Sequence, residues 1–160
     1  MKKAIVIFIG FIILLVGSVL YIKLNQPLIE GTVATGNEKH IVVVGVGNKG
    51  FKGIKITDVI VNNNEKPQKL KVQVSNLLKG FILTDSFDAV AVEYGIKNVD
   101  SVTIQSNTSP QVQFEKMDQG TATKKDVSYG ITIVHDRPIE NVIIKYRFLG
   151  LSFVKTVSVN

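Results

Sequence analysis

The chain has 160 residues, enough for one domain and an appendage, and it holds no cysteine, which excludes both a disulfide framework and a lipobox-type lipid attachment. Basic residues outnumber acidic ones 19 to 13, a net charge of +6, and 45% of the residues are apolar. In the sequence this surplus is mild and spread along the chain, so no run of cations marks a nucleic-acid site.

The apolar residues are unevenly placed. Residues 4–22, AIVIFIGFIILLVGSVLYI, carry no charge, and Ser18 is their one plainly polar side chain. As a helix they span about 28 Å, close to the roughly 30 Å hydrocarbon core of a bilayer. Their Ile, Leu, Val and Phe side chains favour insertion by about 4–8 kcal/mol in sum, an upper figure. A transmembrane signal-anchor helix over 4–22 is therefore expected, with the lipid bilayer as its partner. Tyr21 and Lys23 suit the far interface. A signal peptide cleaved after Val16-Gly17-Ser18 is the alternative, and it would leave a secreted domain. Lys2 and Lys3 precede the span, which predicts a cytoplasmic tail over 1–3 and an extracytoplasmic body.

Residues 23–39 include NQPLIEGTVATGNEK, which has no hydrophobic period and reads as a linker or stalk. From His40 onward, short alternating runs predict a domain over 40–160. The runs are VVVGVG and FKGIKI, KLKVQV (Lys69 to Val74), FILTDSF (Phe81 to Phe87), AVAVEY (Ala89 to Tyr94), SVTIQS (Ser101 to Ser106) and QVQFEKM (Gln111 to Met117). YGITIV (Tyr129 to Val134), NVIIKYRF (Asn141 to Phe148) and LSFVKTVSV (Leu151 to Val159) follow. About 8–10 short strands at this spacing predict an all-β, antiparallel, immunoglobulin-like sandwich, with a barrel as the alternative. Leu149-Gly150 reads as a hairpin turn in which glycine supplies a positive φ. Lys155 interrupts an apolar face of the last strand, either as an inward lysine that guards an edge or on a bulge that turns it outward.

One stretch imitates a nucleotide site. Gly45-x-Gly47-x-x-Gly50 follows an apolar run, and Glu65 lies near the place of a ribose-binding acid. The fingerprint needs a helix after the glycines, to aim its N-terminus at a pyrophosphate. Ile54, Ile56, Thr57, Val59, Ile60 and Val61 favour a strand there, so no nucleotide is expected. A hairpin at Asn48-Lys49-Gly50 is expected instead, with Gly50 left-handed and Gly45 and Gly47 marking a bulge or a close backbone approach.

Catalytic and metal-binding patterns are sparse. His40 and His135 lack zinc-ligand spacing, and His135-Asp136 reads as a turn histidine rather than a dyad. Asp85 and Asp88 do not form a calcium loop. Gly10 and Gly17 share a helix face without the closer spacing of a pairing motif. Ser75 to Phe87 holds Leu77, Leu78, Phe81, Ile82, Leu83 and Phe87, read as a plug crossing between sheets or an apolar partner-binding patch.

No catalytic, metal or cofactor residue is therefore assigned. The expected role is a binding or structural module of the cell envelope, with a protein or an anionic envelope polymer as partner. An exported glycan hydrolase using Asp85 and Asp88, or an accessory subunit of a membrane complex, is the alternative.

Overall fold

The alternating runs become two antiparallel sheets in the computed structural model, which describes residues 2–88 and 92–160. Eight strands are present among those residues: β1 (Leu28–Gly36), β2 (Ile41–Asn48), β3 (Lys55–Val61), β4 (Lys69–Asn76), β5 (Ile96–Lys97), β6 (Val127–Val134), β7 (Asn141–Phe148) and β8 (Leu151–Ser158). One sheet has the order β1-β2-β6-β4-β5, and the other β3-β7-β8. An apolar helix, α1 (Lys2–Leu24), precedes them, and a short helix, α2 (Pro110–Asp118), lies between β5 and β6.

The two sheets share one apolar core, so the fold is sandwich-like. Val42, Val44 and Val46 of β2 and Ile131 and Ile133 of β6 meet Val59, Ile144 and Phe153 from the smaller sheet. Period-2 alternation makes this possible, because every second side chain of a strand points the same way. Each such side chain contributes about 1.5–3 kcal/mol on burial, so the cysteine-free body has ample means to fold. Tyr146 is enclosed as well, its ring stacked on Phe153 at 5.3 Å between centroids. That burial pushes its hydroxyl up to about 12.

The C-terminal hairpin follows its sequence. Leu149 and Gly150 both adopt positive φ, 51° and 78°, the geometry of a two-residue type I′ turn. The β7–β8 register runs without a shift, so no bulge turns Lys155 outward. Its ammonium meets Glu30 of β1 at 3.0 Å, linking the outermost strands of the two sheets.

Several elements depart from expectation. The stretch 23–39, read as a stalk, contains β1, which pairs with β2 along its length around a bulge between Glu30 and Val33. The folded body therefore begins at Leu28 rather than His40. Gly31, Thr32 and Gly36 hide the strand's alternation, and as an edge strand it is only half-buried. QVQFEKM is helical, not extended: Pro110 at the first turn and Gln, Glu, Lys and Met favour α2, whatever the spacing of Val112 and Phe114 suggests. Gly120, at φ +66, ends it. Its N–H and that of Thr121 reach back to Met117 and Lys116, a Schellman closure.

SVTIQS buries Val102 and Ile104 as an alternating run should, but it makes a 3₁₀ turn and a single bridge to Ile54. FILTDSF is irregular, and for AVAVEY residues 89–91 lie outside the described ones while Val92 and Glu93 are helical.

The expected hairpin at Asn48-Lys49-Gly50 does not form. β2 and β3 belong to different sheets, so the loop crosses between them. Asn48 builds this crossing: its amide donates to the carbonyls of Lys52 (2.7 Å) and Ile104 (3.2 Å) and accepts from Gly50 N–H. Gly50 is not left-handed. Gly47 instead admits a neighbour, since a Cβ there would lie 1.9 Å from the backbone oxygen of Thr108. Gly47→Ala should therefore destabilise the protein by about 3 kcal/mol, the upper end for overpacking, because a backbone atom cannot swing aside. Gly150→Ala meets open space and should cost only about 1 kcal/mol of left-handed strain. Denaturant unfolding of both variants distinguishes the two; equal losses would contradict the close approach.

Candidate functional site

Between β4 and β6 the chain makes a long excursion, residues 77–126, although the two strands pair directly. Within it β5 extends the larger sheet and Val102 and Ile104 enter the core, while the 77–82 segment and α2 lie on that sheet's outer face with a groove between them. Gly31 of the β1 bulge and Gly45 of β2 form part of its floor, and Gly130 of β6, opposite Gly45 across the ladder, lies under Phe81. Three adjacent strands thus lack side chains at one level.

Into that depression come Phe81 and Pro110. A Cβ on Gly130 would lie 2.9 Å from the Phe81 ring, and one on Gly31 would lie 3.0 Å from Pro110. Phe81 is therefore neither a plug between the sheets nor a free surface patch; it lies on the outside of the larger sheet. Gln73 of β4, fully buried, fixes the segment there by donating to the Ile82 carbonyl at 2.7 Å and accepting from the Ile82 N–H at 3.0 Å. The same amide donates to Thr132 at 2.8 Å, so no end of it is left over.

The opposite wall is α2. Pro110, Gln113, Phe114 and Met117 line the groove, the spacing of one helix face. Phe114 and Met117 remain half exposed, at 50% and 49%. The cavity encloses about 290 Å³, and no charged side chain lines it. Ser128 sits in its lining only 5% exposed, and among the described residues its hydroxyl has no hydrogen-bond partner. Ser75, its cross-strand neighbour, has an unpartnered hydroxyl too. Apolar walls of Leu77, Phe81, Pro110, Phe114 and Met117, edged by the neutral Asn76 and Gln113, suit an uncharged, largely apolar group.

The other sequence candidates lie elsewhere and do not converge. The glycines of the nucleotide-like motif sit in β2 and the crossing loop, and the element after them is β3. Glu65 lies with His135 and Arg137 at the far end of the sandwich. The His135 Nε2 is 2.9 Å from the Glu65 carboxylate, which also accepts from Arg137. Nδ1 is 3.3 Å from Asp136 without hydrogen-bond geometry, and the ring is 6% exposed. This cluster clasps the loops after β3 and β6, with the imidazole enclosed between them. His40 bonds the His135 carbonyl at 3.2 Å. Asp85 and Asp88 are exposed, and Asp88 accepts from Ser86. Among the described residues, no three His, Cys, Asp or Glu side chains form a metal-binding group. Gly10 and Gly17 border open space.

Sequence reading reached Phe81 but not its surroundings. The Pro110-x-x-Gln113-Phe114-x-x-Met117 spacing was the available signal for the helical wall. The glycine floor depends on strand register, which no local pattern encodes.

The chain matches no protein-family model, no curated protein and no solved structure.

The tie between α2 and the sheet is sensitive to acid. Lys116 of α2 donates to Asp126, just before β6, and Thr123 adds its hydroxyl and N–H. These hold the Asp126 carboxyl down to about 2, with Lys116 the largest cause. Its unfolded value is about 3.9, so the stabilisation is complete above that pH and is lost as pH falls toward about 2. Asp126→Asn should therefore melt below the parent at neutral pH, and the gap should close between about pH 4 and 2. A gap unchanged across that range would show that the ion pair does not hold α2.

Proposed function

We propose that this chain is a single-span membrane protein of the cell envelope, with residues 1–3 cytoplasmic, 4–22 spanning and the β-sandwich extracytoplasmic. On this reading it is an immunoglobulin-like binding module, and the groove under α2 is its recognition surface. The observation that carries the reading is an uncharged, largely apolar groove on a body joined to an apolar helix.

Each part has its own support. Helix α1 is long and apolar enough to cross a bilayer, and no residue of its 7–24 stretch is buried against the rest of the chain. A helix apolar all round and left uncovered calls for lipid. Lys2 and Lys3 ahead of it favour export of the body. An uncleaved helix is favoured by its last turn, where Ile22 packs on the core and Lys23 donates to the Ser152 carbonyl at 3.1 Å. For the immunoglobulin-like assignment the support is strand order. Taking β1, β2, β3, β4, β6, β7 and β8 as A to G gives sheets A-B-E-D and C-F-G, with β5 as an added edge.

The partner that suits the groove is a protein segment presenting an uncharged apolar side chain. Anchoring would hold the module at high local concentration near other envelope proteins. A photo-reactive residue replacing Met117 in the full chain, in its membrane, should yield a discrete protein adduct that Phe114→Asp abolishes. The same probe at Val154, exposed on the other sheet, should yield none. Equal adducts from both positions, or none from 117, would remove the groove as the recognition surface. Protease added to intact cells should degrade the body; protection until lysis would reverse the topology.

A further inference from the structure

The crossing loop that imitates a nucleotide motif occupies a distinctive place. It lies at the end of the sandwich where α1 leaves, and Lys49 N–H bonds the Pro27 carbonyl at 3.0 Å. Phe51 stands at its tip, 70% exposed, edge-on to Phe148 at 5.7 Å. Tyr21, Ile22 and Asn25 of the helix end share a 410 Å³ cavity with Lys49, Phe51 and Phe148. At the neighbouring β7–β8 turn, Leu149 is exposed as well. The loop does not depend on its apolar tip for shape, because Asn48 holds it from within.

Charge at this end has one sign. The segments 21–27, 48–57, 101–110 and 147–153 contain Lys23, Lys49, Lys52, Lys55 and Arg147, and neither Asp nor Glu. Lys55 and Arg147 are cross-strand partners, so these two cations stand side by side. Among the described residues Lys49, Lys52, Lys55 and Arg147 have no ion-pair partner; the ion pairs lie elsewhere. The far-end loops, 37–40, 62–68 and 135–140, are mixed, with Glu38, Glu65, Asp136 and Glu140 against Lys39, Lys66 and Arg137. The basic surplus is thus sorted along the long axis of the body rather than spread evenly.

We propose that the Asn48–Gly53 loop seats on the headgroups of the membrane that α1 crosses, with Phe51 in the interfacial layer and Lys49, Lys52, Lys55 and Arg147 facing anionic lipid phosphates. An aromatic tip flanked by cations fits that zone, where rings bury apolar area and ammonium groups meet a negative surface potential. Asp58, in the next outward pair of that ladder, is taken up by Lys66 and Lys145, which leaves Lys55 and Arg147 for the negative surface. The inference rests on the reading of α1 as a membrane span. The three-residue junction to β1 keeps this end, and no other, within reach of the bilayer.

The chain has no tryptophan, so Phe51→Trp gives a single reporter in the full-length protein. Reconstitution uses vesicles of zwitterionic lipid, with or without anionic lipid, carrying bromine near the headgroup end of the acyl chains. Flotation after alkaline wash is scored first. A floating chain should show blue-shifted emission and at least twofold stronger bromine quenching at position 51 than a Glu38→Trp control, with the largest effect in anionic vesicles. Lys49→Gln, Lys52→Gln and Lys55→Gln together should abolish the dependence on anionic lipid. A floating chain with equal quenching at 51 and 38 overturns the seating of the loop, and equal quenching in both vesicle types overturns the role of lipid charge. A chain that does not float removes the span, and this proposal with it.

Discussion

The junction between α1 and β1 constrains everything that follows it. Only Asn25, Gln26 and Pro27 separate the helix from the first strand, a reach of about 10 Å when extended. Even that reach is taken up. Asn25 N–H bonds the Tyr21 carbonyl, Ile22 packs on the core and Lys23 donates into β8. The ring of Phe153, 5.1 Å from the Lys23 ammonium, adds a cation–π contact. The helix therefore meets the sandwich as an abutting part, and one end of the body is committed to whatever surrounds the helix.

Without disulfides, the sandwich closes by apolar burial and by control of its edges. β1 and β8 are the outermost strands on one side, and the Lys155–Glu30 pair ties them together. The bulge in β1 breaks the even ladder that a foreign strand would need. The larger sheet ends on its other side in the two residues of β5, a poor template, and β3, the other outer strand of the smaller sheet, carries a bulge between Ile56 and Asp58. The 77–82 segment, with α2, then covers part of the outer face of the larger sheet. It can lie there because Gly45 and Gly130 let Phe81 approach the backbone closely. A groove remains where α2 and the 77–81 segment do not meet over that floor.

Much of the fold was legible because alternation and turn chemistry act locally. β4, β6, β7 and β8 announce themselves by period 2, and Leu149-Gly150 by the positive φ its turn demands. β1 was hidden because an edge strand with glycines and threonines buries too little to leave a pattern. α2 was hidden because Val112 and Phe114 sit two apart by chance, while the face that matters runs through Gln113, Phe114 and Met117. The crossing after Asn48 was read as a hairpin because sequence proximity says nothing about which sheet receives the next strand. Of the groove, Phe81 was visible as an excess of apolar character; Ser128 and the glycine floor depend on the register between β2 and β6.

The fixed junction is open to a direct test, because the chain offers no native cysteine to interfere. Two double variants, Tyr21→Cys with Phe51→Cys and Tyr21→Cys with Glu38→Cys, can be treated in membranes with a short bifunctional maleimide. The abutting geometry predicts that the 21–51 pair bridges within the molecule many times faster than the 21–38 pair, which has the length of β1 between its partners. Equal bridging rates would mean that the body swings freely about the helix, and no one end of it would be committed to the helix's surroundings.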